Sequence, residues 1–550
     1  MATTNAPRVV ISFEGLRRTD VPTVGGKNAS LGEMLSQLKA QGVSVPPGFA
    51  TTADAYWEFV DANKLRPVIE RVLRAYRDGR IPLAEAGQTL RSAFLHGEFP
   101  ERTVRAIESA YRKLSALFNV EATDVAVRSS ATAEDLPNAS FAGQQETFLN
   151  IRGERALLDA CRRCYASLFT DRAIDYRETR GFDHLRTALS IGVQKMVRSD
   201  LGGAGVMFSI DTETGCDRVV LINAAWGLGE NVVQGVVDPD EYQVFKPLLA
   251  DPACVPIIEK KRGDKARKLI YATADPTPTR NVPTSRVERA SFVLSDAEIL
   301  TLSRWACSIE RHYQTPMDME WAKDGASGEL YIVQARPETV QSRREATALR
   351  SYCVLKKGRQ LVSGFSVGAA AISGRACLLE SARDIGRFVD GAVLVTATTD
   401  PDWVPIMKRA SAIVTDHGGR TSHAAIVSRE LGLPAVVGAG NATQVLHDEQ
   451  EITVSCAEGE EGFVYEGVAD IEIRDLDLAA IPPTRTQVML NLANPAAALR
   501  WWRLPTDGVG LARMEFVVST HIKVHPMALV RYASLTDAQA KHAIDALTRG

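Results

Sequence analysis

Between residue 8 and about residue 340, short runs rich in branched and aromatic residues alternate with amphipathic stretches. Such alternation predicts strands interleaved with helices. VAVRSSA, ETFLNI, SIGVQKMV, RVVLINAAWG, EYQVF, MDMEWAKD and ELYIVQARP read as strands, and residues 153–178 and 295–313 as long helices. Residues 1–345 therefore predict one mixed α/β domain, larger than a single mononucleotide-binding unit. The pattern weakens over 346–385, where Lys356 to Arg359 precede a Gly/Ala/Ser-rich stretch, and this reads as a junction. Residues 386–470 regain a tight strand–helix alternation: GAVLVTA, DWVPIMKRA, SAIVTD, SHAAIVSREL, PAVVGA, EITVSC and GFVYEG. A second linker, 471–485, is stiffened by Pro482 and Pro483. Residues 486–550 then start a strand–helix–strand series. A β/α barrel needs about 250 residues, so the expectation is an incomplete one.

Composition narrows the function classes. With 64 Lys and Arg against 67 Asp and Glu, the net charge of -3 offers no basic field for nucleic acid or a membrane surface. No apolar run approaches the ~20 residues that span a bilayer, and the N-terminus lacks the charge-then-apolar order of a signal peptide. Eight cysteines are scattered, which suits a reducing compartment, so a soluble cytoplasmic protein is expected. Only Cys161 and Cys164 are close. No second pair completes a metal site, so they read as half-buried helix residues.

The sharpest segment is TDHGGRTSHAAIVSRELGLPAVVG, Thr415 to Gly438. Gly418 and Gly419 permit a tight turn, Thr421 or Ser422 can cap the next helix, and His423 falls in its first turn. Free amides and the helix dipole favour phosphate there. An imidazole with a pKa near ~6.5 is mostly neutral at pH 7 and offers a nucleophilic nitrogen. The second segment, Met317 to Val340, predicts a hairpin that brings Glu320 near Gln334. Hard oxygen donors of this kind suit Mg²⁺ shared with phosphate. Arg336 adds a cationic fork for phosphate, and Asp318, on the same strand face as Glu320, is a weaker metal candidate. No Walker A loop is present, because Lys27 follows Gly25 and Gly26 but Asn28 stands where Ser or Thr is needed.

These strings resemble the PEP-utilising enzymes, and the phosphoenolpyruvate synthases (pyruvate, water dikinases) more than pyruvate phosphate dikinase or enzyme I of the sugar phosphotransferase system. The resemblance runs over nearly all 550 residues and suggests a C-terminally truncated member. It implies an ATP-grasp domain, a swivelling phosphohistidine domain and the start of a (β/α)8 barrel. His423 becomes the residue phosphorylated in turnover, with His417 as a minor competitor. VGGKNASLGEM and VRSSATAEDLPNASFAGQQETFLN assign Lys27 and Arg128 to the triphosphate of ATP. They also assign the loop Asn138 to Gly143, with Ser140 and Gly143 as contacts, to a lid over the phosphates. Glu320 and Gln334 become Mg²⁺ ligands and Arg336 a phosphate contact. Gly227 and Gly229, in AAWGLGENVVQG, let backbone approach the nucleotide. Arg513 would meet pyruvate or phosphoenolpyruvate.

The implied reaction turns ATP, pyruvate and water into AMP, phosphoenolpyruvate and phosphate, serving gluconeogenesis. With the barrel incomplete, only the ATP/His423 half-reaction is expected of this chain. The resemblance also implies a homodimer for full-length members. It makes Thr421 the acceptor for a regulatory kinase/phosphorylase, with a plain helix cap as the other reading. A regulatory phosphohistidine protein, a dikinase-like enzyme and a non-functional fragment stay open as alternatives.

Overall fold

In the strand Met317–Lys323, Met317, Met319 and Trp321 are buried while Asp318 and Glu320 between them are only partly so, an alternation that sets which face meets the core. The computed structural model describes residues 8–132, 146–272, 277–338, 348–420, 422–493, 498–499 and 501–548. β1 (Val10–Ser12), β2 (Gly48–Thr51), β3 (Val125–Ala131), β4 (Thr147–Ile151) and β5 (Leu189–Lys195) form an antiparallel sheet in the order β1-β2-β5-β3-β4. Helices between residues 53 and 117 and the helix Glu154–Ser167 cover it through Tyr56, Phe59, Phe94 and Tyr165. Cys161 and Cys164 are fully buried in that last helix rather than half-buried, and burial lifts the Cys161 thiol to about 12, so both are inert packing residues.

A second antiparallel sheet carries more of the chemistry. It contains β6 (Gly203–Phe208), β7 (Val219–Trp226), β8 (Asp240–Phe245) and β9 (Ile257–Lys261). After the hairpin β10 (Arg267–Tyr271) and β11 (Thr279–Pro283), it gains β12 (Met317–Lys323) and β13 (Leu330–Pro337). The order is β13-β12-β6-β7-β8-β9. Met207, Ile222, Tyr242, Met319 and Ala335 point into a core shared with the helices Val21–Gln37 and Asp296–Tyr313. The latter helix starts at a capping box, in which the Ser295 N–H donates to Glu298 at 2.8 Å while Ser295 Oγ accepts from the Glu298 N–H.

The opposite face of this sheet can be read from register. Gln334 lies opposite Glu320 and Glu320 opposite Val206. Ala204 opposite Ala225 and Met207 opposite Ile222 set Val206 level with Asn223, which is followed by Glu241 and Lys261. Two residues away, Arg336, Asp318, Phe208, Leu221, Gln243 and Glu259 form a parallel row. Directly opposed residues share a face, so one face carries charged groups at both ends, with Val206, Phe208 and Leu221 beside the lone amide Asn223 between them. Val232 and Val237 pack on that middle.

β14 (Ala348–Lys356) pairs with a later strand, and the chain then enters a closed barrel. Its strands are β15 (Gln360–Val367), β16 (Ala371–Leu378), β17 (Val393–Thr396), β18 (Ala412–Thr415), β19 (Ala435–Val437), β20 (Glu451–Ser455) and β21 (Glu461–Glu466). They close in the order β15-β19-β18-β17-β16-β20-β21. Val393 and Val395 fill the interior while Leu394 packs outward under Trp403 and Ile406. Strands buried on both faces explain the unbroken apolar runs. Residues 360–378, expected to be part of a junction, are instead β15 and β16. Their small residues fit where Gly364 passes tightly against Val437 O. β22 (Asp470–Asp477) returns to pair with β14, so the two expected linkers meet in one two-stranded ribbon. β23 (Met489–Leu492) and β24 (Gly508–Ala512) form a parallel pair beyond it. Among the described residues, no helix is long and apolar enough to cross a membrane.

Candidate active site

The nucleotide side begins at Gly25. The helix Val21–Gln37 breaks there, with φ of 74°, and an added Cβ would lie 2.3 Å from Ser130 Oγ. Only glycine allows that approach. Ser130 and Arg128 alternate onto one face of β3, so the glycine contact sets Lys27, two residues on, close to the strand that carries Arg128. Arg128 in turn crosses to the second sheet. Its Nη1 donates to Val333 O at 3.1 Å and its Nη2 to Glu320 Oε2 at 3.5 Å.

Glu320 and Gln334 are cross-strand partners, as the hairpin reading anticipated. Asp318 is not left for a metal, because Arg336 donates to it through Nε at 2.8 Å and Nη2 at 2.7 Å. Burial raises the Asp318 carboxyl and Arg336 pulls it back. Among the described residues no cluster of three or more His, Cys, Asp or Glu could hold a metal alone. One carboxylate and one amide oxygen fit an ion that keeps water and nucleotide phosphates as its other ligands.

Glu230, which the sequence motifs did not single out, completes this region. It opens the helix Glu230–Val233 beside Arg128 and Glu320. Its carboxyl is raised by burial, while Arg128 lowers it and Glu320 raises it. Its place behind two glycines was the one local sign of it in the sequence. Gly227, expected to let backbone approach the nucleotide, instead presses backbone to backbone on Leu269, with φ of 86°.

His423 begins the helix His423–Leu431, and Ser422 Oγ caps it by accepting from the Ala425 N–H at 3.4 Å. The ring is 9% exposed. Its Nδ1 lies 3.0 Å from Thr399 Oγ1. When Nδ1–H donates to that hydroxyl, the lone pair is left on Nε2, which makes no hydrogen bond to any described residue. Burial, reinforced by the Arg172 cation, pulls His423 down to about 4, so the ring is neutral at pH 7. Thr399 and Arg172 were also missed, since both come from distant segments. His417, the competitor, lies between β18 and the His423 helix, on the side of Asp238.

The covering of His423 is supplied by the first domain. A Cβ on Gly235 would lie 2.5 Å from Ser422 Cβ, and one on Gly419 3.3 Å from Pro239. Arg172 Nη1 meets Asp402 at 3.6 Å. Glu213 accepts from Arg429 Nε at 2.9 Å and from the Gly368 N–H at 3.1 Å. Arg420 lies between Glu241, at 3.9 Å, and Glu460, at 3.3 Å. Lys261 sits over the Phe365 ring at 4.0 Å. The barrel thus docks at the β8–β9 end of the sheet face whose β12–β13 end carries Glu320. Glu230 and Gly235 are five residues apart, on the order of 8 Å of helical path, and link the two regions.

Residues 21–352 match the family model "Pyruvate phosphate dikinase, AMP/ATP-binding domain", and residues 388–459 match "PEP-utilising enzyme, mobile domain". The phosphoenolpyruvate synthase of Synechocystis is 50% identical over 552 residues, covering 98% of this chain and 67% of the relative. That of Aquifex aeolicus is 50% identical over 98% of this chain and 64% of its own length. That of Pseudomonas aeruginosa is 51% identical over 96% and 66%. The chain belongs to the phosphoenolpyruvate synthase family. Membership bears out the expected family and its phosphotransferase class. These matches do not support the expectation of a truncated chain, because they run over nearly all of it. The chain spans about two thirds of the length of these relatives.

Of the remaining expected site residues, Arg513 follows β24 directly and is exposed. Its N–H donates to Leu492 O at 2.8 Å, at the carboxyl end of β23. Ser140, Gly143 and Thr421 lie outside the described residues.

Proposed function

We propose that this protein makes phosphoenolpyruvate from ATP, pyruvate and water, releasing AMP and phosphate, with His423 as the carrier. The observation that carries this reading is a neutral, capped histidine whose Nε2 makes no hydrogen bond to any described residue and whose cover is the nucleotide domain itself. In the first step Nε2 attacks the β-phosphorus of ATP and the bond to the α-phosphate oxygen breaks. AMP leaves and a pyrophosphoryl group stays on His423. Lys27, Arg128 and Arg336 neutralise the charge that shifts along the triphosphate, since alignment and cations do most of the work in phosphoryl transfer. The loop holding Ser140 and Gly143 is proposed to cover the phosphates. Glu320 and Gln334 would hold Mg²⁺, which supplies further charge neutralisation on the phosphate oxygens. After water removes the outer phosphate, the barrel undocks and carries phospho-His423 to pyruvate, where Arg513 meets the anionic substrate.

The finer architecture belongs to the same proposal. Residues 1–345 form an ATP-grasp domain, 386–470 with β15 and β16 a swivelling domain, and 486–550 the start of a (β/α)8 barrel. A cytoplasmic location and a homodimeric assembly are proposed with it. Thr421 is the proposed regulatory acceptor. Its neighbours Arg420 and Ser422 are buried against the first domain, so a phosphate between them would oppose docking.

Incubation with ATP labelled at the β-phosphate should release AMP and leave an acid-labile label on the chain. His423→Ala should abolish both. Release of ADP with no adduct on the wild-type protein would sink the reading.

A further inference from the structure

The hairpin of β10 and β11 belongs to neither large sheet and touches both. The Leu228 N–H, just past β7, donates to Leu269 O at 2.9 Å and fixes β10 to the second sheet. Two residues on, the Tyr271 hydroxyl donates to Asp124 Oδ2 at 2.7 Å, while Asp124 Oδ1 accepts from Lys195 Nζ at 2.6 Å. Asp124 directly precedes β3 and Lys195 ends β5, so this acceptor is anchored in the first sheet. Across the hairpin, Leu269 stands opposite Asn281, whose Oδ1 accepts from Asn231 Nδ2 at 2.7 Å. Asn231 is buried, and its carbonyl accepts from the Val236 N–H at 2.9 Å. That bond closes the turn in which Gly235 abuts Ser422, the cap of the His423 helix. Contacts thus run unbroken from the first sheet to the place where the carrier helix lands. Arg128, bonded to Val333 O, makes a separate crossing between the sheets. It lies four residues from Asp124, about 13 Å of extended chain, and two crossings that far apart fix an angle as well as a distance.

We propose that this hairpin is a strap that sets where His423 lands relative to the cations of the first sheet, with Tyr271 and Asn281 as its positioning residues. The inference deepens the function proposed above and rests on it. Lys27 and Arg128 stand on the first-sheet side of the nucleotide, whereas the docked carrier helix rests on the turn that ends at Val236. The strap holds these two in register. Neither Tyr271 nor Asn281 is among the residues proposed to hold ATP, so both act through the turn. A misplacement of about 1 Å between reacting groups costs on the order of 10²-fold in rate. A loosened strap therefore shows in the transfer step and hardly in nucleotide binding.

The test uses the full chain, β-labelled ATP at saturation with alkaline quenching, and equilibrium binding of α,β-methylene ATP. Tyr271→Phe keeps the ring and removes the hydroxyl; Asn281→Leu keeps the volume and removes the acceptor. Each should slow β-label incorporation by about ten- to a hundredfold and leave the affinity for the analogue within a few-fold. Asn281→Asp, which keeps an acceptor oxygen, should restore the rate. Because both residues serve one strap, the double variant should be no slower than the slower single one, whereas independent contacts would multiply their effects. Wild-type rates in either single variant overturn the proposal, and so do multiplied effects. A loss confined to analogue affinity also overturns it, since the two residues would then serve nucleotide binding. If the wild-type protein forms no adduct, the phosphohistidine reading is what fails, and hydrogen exchange still judges the strap. Tyr271→Phe should speed exchange of the Gly235 and Val236 amides, and unchanged exchange there overturns the strap by itself.

Discussion

At the scale of single residues, the reactivity of His423 depends on which ring nitrogen carries the proton. The residue itself was legible from its setting in GGRTSH, but its tautomer was not. That is set by Thr399, 24 positions away, at 3.0 Å from Nδ1. Thr399→Val keeps the volume and removes the acceptor. Phosphorylation of His423 should then slow roughly five- to tenfold, the kinetic equivalent of a hydrogen bond worth ~1–1.5 kcal/mol. Thr399→Ser should restore the rate. The check is the rate of β-label incorporation at saturating ATP. Equal rates in the valine and wild-type proteins would show that the ring needs no such partner. Asp318 and Glu320 teach a related lesson. Their alternation onto one face of β12 was legible from MDMEW. The capture of Asp318 by Arg336 was not, because it depends on the register of β13.

At the scale of elements, the strands and the two long helices were legible because apolar periodicity there is strong. The expected junction at 360–378 was misread for a physical reason. Its strands are built from Gly, Ala and Ser, whose small side chains let the barrel close but carry little hydrophobic pattern. Glycines did flag contacts, though not always the expected ones. Gly25 breaks a helix to reach Ser130, Gly227 packs on Leu269, and Gly235 abuts Ser422. Gly235 has φ of 67°, a conformation that costs other residues about 1–2 kcal/mol. Gly235→Ala would add that strain and place a methyl group where Ser422 stands. The first domain should keep its nucleotide affinity, measured by equilibrium binding of ATP, while adduct formation on His423 drops at least tenfold. Unchanged adduct formation would mean that the docked arrangement is not the one that reacts.

At the scale of the whole molecule, the site is a property of one sheet face. Its β12–β13 end carries the proposed metal and phosphate residues, and its β8–β9 end receives the barrel. No local pattern could reveal this, since the pairs that make the seam are far apart in sequence: Glu213 with Arg429, Glu241 with Arg420, Arg172 with Asp402. A carrier histidine buried by its own domain would be useless. One buried by a partner domain is uncovered whenever the domains part, and the ion pairs set how readily that happens. The Arg429 side chain is 5% exposed and that of Glu213 16%, so Glu213→Gln leaves a nearly buried cation short of its counter-ion. Removal of one member of such a pair costs on the order of 3 kcal/mol, roughly a hundredfold in an equilibrium.

Acid should act on the same equilibrium through His423. Its pKa when docked, about 4, lies below the ordinary value near ~6.5. The docked state therefore binds fewer protons than the open one at intermediate pH. His423 contributes fully to docking above about pH 6.5, and its contribution is lost as pH falls from there through about 4. Small-angle scattering should show the radius of gyration of the wild-type protein growing over that interval. Glu213→Gln should already be expanded at pH 7 and form its adduct more slowly at unchanged ATP affinity. High salt should expand the wild-type protein little, because the Glu213–Arg429 pair is largely shielded from solvent ions. If instead the radius stays constant from pH 7 to pH 4.5 and is the same in both proteins, neither the ion pair nor the histidine controls docking. The seam would then be held by its other contacts, Arg172–Asp402 and Arg420–Glu241 among them.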